Sequence, residues 1–333
     1  MGRDVEAGGG SHSVGMSSDT KHILVVKPSS LGDIIHGLQV VESLRVQQPD
    51  VKITWVVADA FAPVVQACRT VDSIFVFERK GGLRGFVRLL RQIRQARHYD
   101  CVLDLQGLAR SGLMTLFARA DRKIGRADAR EGARFCYGET VALPEVSEPH
   151  AVEVLCQFLP TLGLSNRVEG TLVFDLPNPQ LQLPESLDQA ILVFPESRRE
   201  EKNWPYFAEF VTRVANDFPE RNLLWCGSAA IADVCPTGPN VYNLAGQTGL
   251  LDVIALIQAA GAVLANDSGP IHIAAAVGTP VLALFGPTPP EAYGPYPLQA
   301  EQHITLRSDE HTMNSLSVDT VYASFAAQLL PLL

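Results

Sequence analysis

Short apolar runs rich in β-branched residues alternate with longer amphipathic segments along most of the 333-residue chain. The short runs are typical of buried parallel strands, and the longer segments are typical of helices that cover a sheet. In the first half, strands are predicted at HILVVK (22–27), KITWVV (52–57), SIFVF (73–77), CVLDL (101–105) and near 123–126. The helices predicted between them are 34–48, 61–69, 85–97 and 108–120.

The alternation stops at 165–190, a polar and proline-rich stretch that predicts a linker, and then restarts. Strands follow at 190–195, 222–227, 240–245, 262–267 and 281–286, with helices near 205–217, 250–260 and 270–277. We therefore expect an α/β protein of two doubly wound domains, 21–168 and 169–333, whose last helix is a candidate to pack back on the first domain. Ligands bind beyond the carboxyl ends of such strands, so the cleft between the domains is the natural site.

The remaining segments and the cysteines predict a cytoplasmic protein. Residues 1–20 are rich in Gly and Ser and lack the apolar core of a signal peptide, which predicts a disordered leader. The sequence contains no run of about 18 apolar residues, so no membrane-spanning helix is predicted. The six cysteines show no CxxC spacing, so we expect small buried side chains in a reducing compartment and no metal site.

The net charge of 27 − 36 = −9 argues against nucleic-acid binding, which needs clustered cations. The segment 79–97 is a local exception, with seven basic residues, Arg79 and Lys80 first among them, and no acid. Two interpretations stay open at this point. The segment is either a solvated helix face or a face for an anionic partner, such as a phosphorylated acceptor or an anionic membrane surface.

The stretch DSGPIH (267–272) follows a predicted strand and opens a helix with proline near its first position. The N–H groups and positive dipole end of such a helix bind phosphate without any lysine. Gly269 permits close approach of the backbone, and His272 lies one turn in, within reach of the same anion. The alternative is structural, with Asp267 or Ser268 as a helix cap and His272 as a core histidine.

A second polar loop lies in FPESRREEKNWPYFAEF (194–210), which places Ser197, Arg198 and Lys202 beside the same cleft. A lysine at this position can neutralise a diphosphate leaving group. The alternative is a charged surface loop, because three acids, Glu196, Glu200 and Glu201, lie among the bases.

The opening loop, KPSSLGDIIHG (27–37), lacks the three glycines of a dinucleotide site. Ser30 and Asp33 have the spacing of a capping box, so Asp33 either caps the helix or presents a carboxylate to the cleft. His36, one turn on, is interpreted as a packing or hydrogen-bonding residue rather than a metal ligand.

These stretches, in this order, resemble the ADP-heptose heptosyltransferases of lipopolysaccharide core assembly, glycosyltransferase family 9. The resemblance extends from about residue 22 to 325 and rests on five motifs. They are SS-x-G-D-x-x-H at 29–36, D-x-QG-L at 104–108, K-x-WP at 202–205, D-[ST]-G-x-x-H at 267–272, and G-x-P followed by FGPT within 278–288.

The resemblance implies a GT-B fold of two Rossmann-like domains and inverting sugar transfer without a metal or other cofactor. It makes Asp33 the catalytic base and Lys202 the clamp on the diphosphate. The nucleotide-sugar side implied is Ser197, Arg198, Lys202, Thr248, Asp267, Ser268, Gly269 and His272. The acceptor side implied is Ser30, Gly32, His36, Arg79, Lys80, Gln106 and Arg130. The expected partners are a nucleotide-sugar donor, a phosphorylated lipid-core acceptor and, peripherally, the inner face of the cytoplasmic membrane.

Two departures from the family pattern leave the substrates open. A glutamate that holds the nucleoside in relatives is expected near 228–232, where this chain reads SAAIA, and Val154 stands where some members have arginine. The alternatives are a family member with another nucleotide sugar or acceptor, a GT-B-like nucleotide-sugar epimerase, and a non-catalytic nucleotide-sugar-binding protein. An epimerase would need a second acid/base set that the sequence does not reveal, and pure binding would need no base such as Asp33.

Overall fold

The computed structural model describes residues 22–333 and contains two six-stranded sheets. The leader expected at 1–20 lies outside the described residues. The strands of the first sheet are β1 (His22–Val26), β2 (Lys52–Ala58), β3 (Ser73–Phe77), β4 (Tyr99–Asp104), β5 (Ala120–Arg126) and β6 (Glu139–Val141). Those of the second are β7 (Ile191–Phe194), β8 (Leu223–Trp225), β9 (Val241–Asn243), β10 (Ala262–Asn266), β11 (Val281–Phe285) and β12 (His303–Arg307).

Both sheets have the same topology. Their strand orders are β3-β2-β1-β4-β5-β6 and β12-β11-β10-β7-β8-β9, and neighbouring strands pair in parallel. Counted within its own half, each sheet runs 3-2-1-4-5-6, the order of a dinucleotide-binding Rossmann sheet. The prediction of two doubly wound halves is confirmed. The strand order reverses between β1 and β4 and between β7 and β10, and ligand crevices form at such switch points.

Helices cover both sheets close to the predicted positions. They are α1 (Leu31–Gln47), α2 (Ala62–Ala67), α3 (Gly82–Gln95), α4 (Ala109–Phe117), α5 (Ala151–Cys156), α6 (Phe158–Thr161), α7 (Phe207–Asp217), α8 (Leu250–Ala259), α9 (Gly269–Val277), α10 (Pro290–Tyr293) and α11 (Val318–Ser324). No helix in the described part of the chain is long and apolar enough to cross a membrane.

The central strands carry the longest apolar runs because both faces of each sheet are covered. Ile23 to Val26 of β1 and Val263 to Ala265 of β10 are completely buried. The segment 165–190, predicted as a linker, has little regular structure and packs against both halves. Arg69 donates its N–H to the Val173 carbonyl in this segment, and Leu172 donates its own N–H to the Ala276 carbonyl of α9.

The end of the chain packs on the second sheet, not on the first domain as the sequence suggested. Val321 of α11 and Phe325 beyond it are buried in a cluster that contains Trp204 and Phe210. The Phe210 and Phe325 rings lie edge to face, with centroids 5.6 Å apart. Aromatic pairs in this geometry stabilise the packing beyond the area that they bury.

Candidate functional site

The predicted opening loop and the start of α9 meet at the cleft between the two sheets. His36 of α1 and His272 of α9 approach each other, with 3.2 Å between Nε2 and Nδ1. A Cβ atom on Gly32 would lie 3.8 Å from the His272 ring, so the loop passes directly over that histidine. His36 and His272 are 236 residues apart in the sequence, so the two motifs come together only in the folded protein and form one site.

Asp33 lies in the first turn of α1 and has two contacts that matter for its chemistry. Its Oδ2 atom accepts hydrogen bonds from the Ser30 N–H, at 3.1 Å, and from the Ser30 hydroxyl, at 2.7 Å. Its Oδ1 atom lies 3.6 Å from Nζ of Lys27. The contact to the backbone N–H of Ser30 expected from a capping box is present, yet the Asp33 side chain stays 44% exposed and lines the cleft. Capping and a chemical role are therefore compatible.

The surroundings of Asp33 keep it ionised. Partial burial opposes its ionisation, but the Lys27 ammonium and the Ser30 hydrogen bonds outweigh it, so the pKa of Asp33 lies below its usual value. Lys27 is buried, and this burial lowers its own pKa although Asp33 opposes the change. At neutral pH the site presents a carboxylate that can accept a proton.

Lys202 lies across the cleft, at the edge of the second sheet. Its Nζ is 2.5 Å from Oδ2 of Asp267, and both side chains are almost completely buried. The Thr288 hydroxyl donates to the same oxygen at 2.5 Å, and the Tyr293 ring centroid lies 5.7 Å from the ammonium. The sequence predicted a lysine beside the phosphate site, and the structure pairs this lysine with the aspartate that precedes α9.

The N-terminus of α9 carries no side-chain cap. Ser268 occupies the cap position, but its hydroxyl donates to the Asn266 carbonyl at 3.2 Å. Asp267 is engaged by Lys202 instead. The alternative in which Ser268 or Asp267 caps the helix is therefore wrong. Pro270 has no N–H, and Ile271 donates its N–H to the Ser268 carbonyl at 3.3 Å, so the Gly269 N–H and the positive dipole end of the helix are what suit an anion here.

A cavity of about 370 Å³ opens next to this helix end. Thr248 and Gly269 line it, as predicted for donor-side residues, together with apolar side chains from both halves. Glu196 also lines it and accepts hydrogen bonds from the N–H and the hydroxyl of Ser228, both at 2.9 Å. The sequence interpretation treated Glu196 only as a loop acid.

The other two donor-side candidates behave differently. Ser197 donates its N–H to the Asn203 side chain at 2.7 Å, which fixes the turn before Lys202. Arg198 is exposed.

The predicted acceptor residues divide between two cavities that meet at the opening loop. Ser30, Gly32, Asp33, His36 and Arg130 line a cleft of about 630 Å³ with Arg126, His272 and Tyr293. Arg79 and Gln106 line a second cavity of about 380 Å³ with Ser29, Arg110 and Glu131. Lys80 is exposed in the turn beside Arg79 and lines neither cavity.

Three residues of the site received no role from the sequence, although Lys27 and Asp104 lie within stretches already singled out there. Lys27 follows β1, Asp104 ends β4 and Arg126 ends β5, and the carboxyl ends of parallel strands are where ligand sites form. Asp104 accepts hydrogen bonds from Gln106 N–H at 2.9 Å and Tyr137 hydroxyl at 2.8 Å. Burial raises the pKa of Asp104 despite these bonds. This carboxyl group therefore shapes the loop that carries Gln106.

Three histidines pack together where the halves meet. The His36 ring lies 4.6 Å from that of His272 and 5.4 Å from that of His150, between centroids. Nδ1 of His150 accepts the Val152 N–H, so its Nε2–H donates to the Gly294 carbonyl, and the ring is neutral. Burial lowers the pKa of all three, that of His272 to about 4. In the described residues, no three potential ligands among His, Cys, Asp and Glu are grouped to hold a metal ion.

Two doubly wound domains that face each other across a cleft form the GT-B fold, the architecture shared by many glycosyltransferases. A family model described as glycosyltransferase family 9 (heptosyltransferase) matches residues 86–322. The chain belongs to this family. The matched range begins after the opening loop, so Asp33 lies outside it.

The most similar proteins agree with this assignment. The chain is 27% identical over 292 residues to lipopolysaccharide core heptosyltransferase OpsX of Haemophilus influenzae, covering 83% of this chain and 82% of that protein. It is 28% identical over 294 residues to lipopolysaccharide heptosyltransferase 1 of Pseudomonas aeruginosa, covering 82% and 81%. The solved structure of E. coli heptosyltransferase WaaC with ADP superposes with a TM-score of 0.77 at 24% identity, covering 92% of this chain and 99% of that one. This likeness establishes the shared fold.

Proposed function

We propose that the protein transfers heptose from ADP-heptose to a lipopolysaccharide inner-core type acceptor, with inversion at the anomeric carbon. The curated relatives are named lipopolysaccharide heptosyltransferases, and they match most of the chain. The observation that carries the proposal is the arrangement of charge in the cleft. An ionised carboxylate, Asp33, lines the cleft together with His272 of the uncapped helix α9, and a buried lysine, Lys202, lies 5.7 Å from the ring centroid of Tyr293, which lines the same cleft.

In the proposed step, the oxygen of the acceptor hydroxyl forms a bond to the anomeric carbon of the donor. Asp33 accepts the proton that this hydroxyl loses. The bond from that carbon to the diphosphate oxygen breaks on the opposite face, and the electron pair leaves with ADP. One positioned base suffices for such an inverting transfer. The leaving diphosphate gains one negative charge, on the oxygen that had been bonded to the sugar, and Lys202 and the positive end of the α9 dipole are placed to stabilise it.

We assign the donor to the second half and the acceptor to the first. Thr248, Gly269 and Glu196 line the cavity beside the α9 terminus, which suits the nucleoside part of the donor. Arg126 and Arg130 line the cleft around Asp33, and Arg79 and Arg110 line its neighbour. Guanidinium groups bind phosphate and carboxylate in a bidentate manner, so these cavities suit an acidic, phosphorylated acceptor.

The metal-free character of the reaction is part of the proposal and rests on Lys202 and α9. A helix end and a lysine together supply the positive charge that a divalent cation would otherwise bring to the diphosphate. We also expect the protein to work in the cytoplasm at the inner membrane face, where the basic segment 79–97 would contact anionic lipid.

A donor screen tests the proposal. Turnover and thermal shift should be measured with ADP-heptose and with ADP-, GDP-, UDP- and dTDP-hexoses, each with and without EDTA. We expect transfer from ADP-heptose that survives EDTA. Turnover confined to another nucleotide sugar would replace the donor, loss on chelation would refute the metal-free step, and epimerised donor without transfer would favour the epimerase alternative.

A further inference from the structure

An apolar face lies on the outer surface of the first half, beside the cavity assigned to the acceptor. Leu113, Leu116 and Phe117 of α4 are 37%, 46% and 39% exposed. Their spacing of three and four residues places them on one side of the helix. Phe135, in the short helical turn after β5, is 93% exposed. We call Leu113, Leu116, Phe117 and Phe135 the α4 apolar face.

The four side chains belong to one packed unit. A Cβ atom on Gly112 would lie 3.0 Å from Cα of Ala133 and 3.2 Å from Sγ of Cys136. The turn that carries Phe135 therefore packs directly on α4, and a side chain at position 112 would push it away by a few tenths of an ångström. A phenylalanine that is 93% exposed, in a turn packed on a helix with three more exposed apolar side chains, is unusual for a surface with no partner.

Basic side chains lie at both ends of the α4 apolar face, with one carboxylate, that of Glu131, accepting the Ala109 N–H at the start of α4. Nζ of Lys123 donates to the Leu116 carbonyl at 2.7 Å, at the C-terminal end of α4. Burial lowers the pKa of Lys123, and Arg94 of the neighbouring α3 lowers it further by charge repulsion. At the other end of α4, the Arg110 guanidinium lies 6.0 Å from the Phe77 ring centroid. The sequences of α3 and α4 contain no acid.

We propose that the α4 apolar face inserts into an anionic lipid bilayer, with Arg94, Arg110 and Lys123 placed against the headgroups. An apolar stripe with flanking cations is the pattern of a protein that lies in a membrane interface. The inference deepens the proposed function, on which it rests for a lipid-borne acceptor. Leu108, Arg110 and Ser111, at the start of α4, line the acceptor cavity, so insertion of this helix would bring that cavity to the headgroup layer.

The proposal separates the roles of two neighbouring helices. Arg84, Arg88 and Arg91 of α3 are exposed, and they supply long-range attraction that salt screens. The α4 apolar face supplies burial of hydrocarbon, which salt does not screen. Binding should therefore weaken but persist as ionic strength rises.

The test is cosedimentation of the full chain with vesicles of phosphatidylcholine, with and without phosphatidylglycerol. We expect binding that needs phosphatidylglycerol at physiological salt. Phe135→Ser, at a site with almost no packing to lose, should weaken it about tenfold, the effect of one lost apolar side chain. Leu116→Ser should act in the same direction. Val234→Ser, which removes a side chain 58% exposed on the second half, is the matched control and should bind like wild type.

Equal binding by wild type and Phe135→Ser would overturn the inference. Wild-type protein that stays in the supernatant with every vesicle composition would also overturn it. The α4 apolar face would then be interpreted as a surface for a protein partner. Turnover distinguishes this failure from failure of the proposed function. Phe135→Ser should transfer normally to an acceptor stripped of its acyl chains and poorly to the same acceptor in vesicles. Wild-type protein that binds vesicles but transfers to neither acceptor would refute the function and leave the membrane face intact.

Discussion

The two halves of the molecule share one sheet topology but differ in how each places an ion pair at its switch point. In the first half, Lys27 is buried while its partner Asp33 is 44% exposed. In the second half, Lys202 and Asp267 are both nearly buried, at 11% and 7%. The first pair presents a carboxylate to the cleft, and the second pair fixes a cation beside a helix end.

The helix termini differ in the same sense. At α1, the Asp33 side chain folds back to accept the N–H of the cap residue Ser30 in a capping box. The first turn of α9 has no side-chain cap. The same fold therefore yields a base site in one half and an anion site in the other. The difference depends on a few side chains at the strand ends, as expected when function is determined by sites and not by the fold.

Removing the base should have the largest effect on activity. We expect Asp33→Asn to lower kcat by about 10²- to 10⁴-fold, because general-base catalysis contributes about that much. ADP affinity, measured by calorimetry, should stay close to wild type, since the donor site lies in the other half.

The Asn substitution also separates the two roles of Asp33. Its amide oxygen can still accept the Ser30 N–H, whereas Asp33→Ala loses both the cap and the base. We expect Ala to cost about 1 kcal/mol more in unfolding free energy than Asn, with equal loss of turnover. Near-normal turnover of Asp33→Asn would leave only the capping role.

Removing the buried cation should affect both stability and donor binding. Lys202→Met leaves Asp267 buried without its cation, which should cost about 3 kcal/mol in unfolding free energy. ADP affinity and turnover should fall together, because the same ammonium faces the diphosphate in the proposed step.

A double variant sharpens this prediction. Lys202→Met with Asp267→Asn removes both charges, so urea unfolding should show most of the stability restored while ADP binding stays weak. Unchanged ADP affinity in the single variant would exclude Lys202 from the diphosphate site, whatever its effect on stability.

The histidines between the halves should make the stability of the protein depend on pH. The pKa of His272 falls to about 4 in the folded protein, against an ordinary value of 6.5. Its contribution is complete above pH 6.5 and is lost as the pH falls from 6.5 towards 4, since only the unfolded chain takes up the proton in that range. This histidine alone should lower the free energy of unfolding by about 2 kcal/mol as the pH falls from 7 to 5.

Urea unfolding at several pH values measures this dependence. His272→Gln should flatten the curve between pH 7 and pH 5. His98→Gln, which alters an exposed histidine beside Asp121, is the control and should leave it unchanged. A wild-type curve that is flat in this range would contradict the neutral state assigned to His272.

The sequence predicted the interior of the fold better than its edges. The central strands β1, β4, β7 and β10 consist mostly of buried apolar residues because helices cover both of their faces. Of the four edge strands, β3 and β9 were predicted, whereas β6 and β12 were missed. β6 has three residues, two of them exposed, and the polar residues of β12 hide the apolar signal. Edge strands bury less surface, so their sequences carry a weaker pattern.

The candidate site was predictable where it lies within one motif. The helix end at Gly269 follows from its strand, turn and proline, and the Ser30–Asp33 contact follows from the spacing of the two residues. The pairing of Lys202 with Asp267 joins residues 65 apart, and the Glu196–Ser228 contact joins residues 32 apart. No local pattern encodes these contacts, because they depend on which strand ends meet in the folded sheet.

The smallest effect should come from Lys27, and it tests whether the exposed partner in the first half depends on the buried one. Lys27 lowers the pKa of Asp33. Lys27→Met leaves the opposing effect of burial, so the pKa of Asp33 should rise. The acid limb of the kcat/KM profile should then move to higher pH, with little change on the plateau. Arg45→Met, which alters an arginine paired with Asp72 away from the cleft, is the control. An acid limb that does not move would show that Ser30 alone keeps Asp33 ionised. The exposed carboxylate of the first half would then not depend on its buried lysine, whereas Lys202 and Asp267 in the second half are buried together.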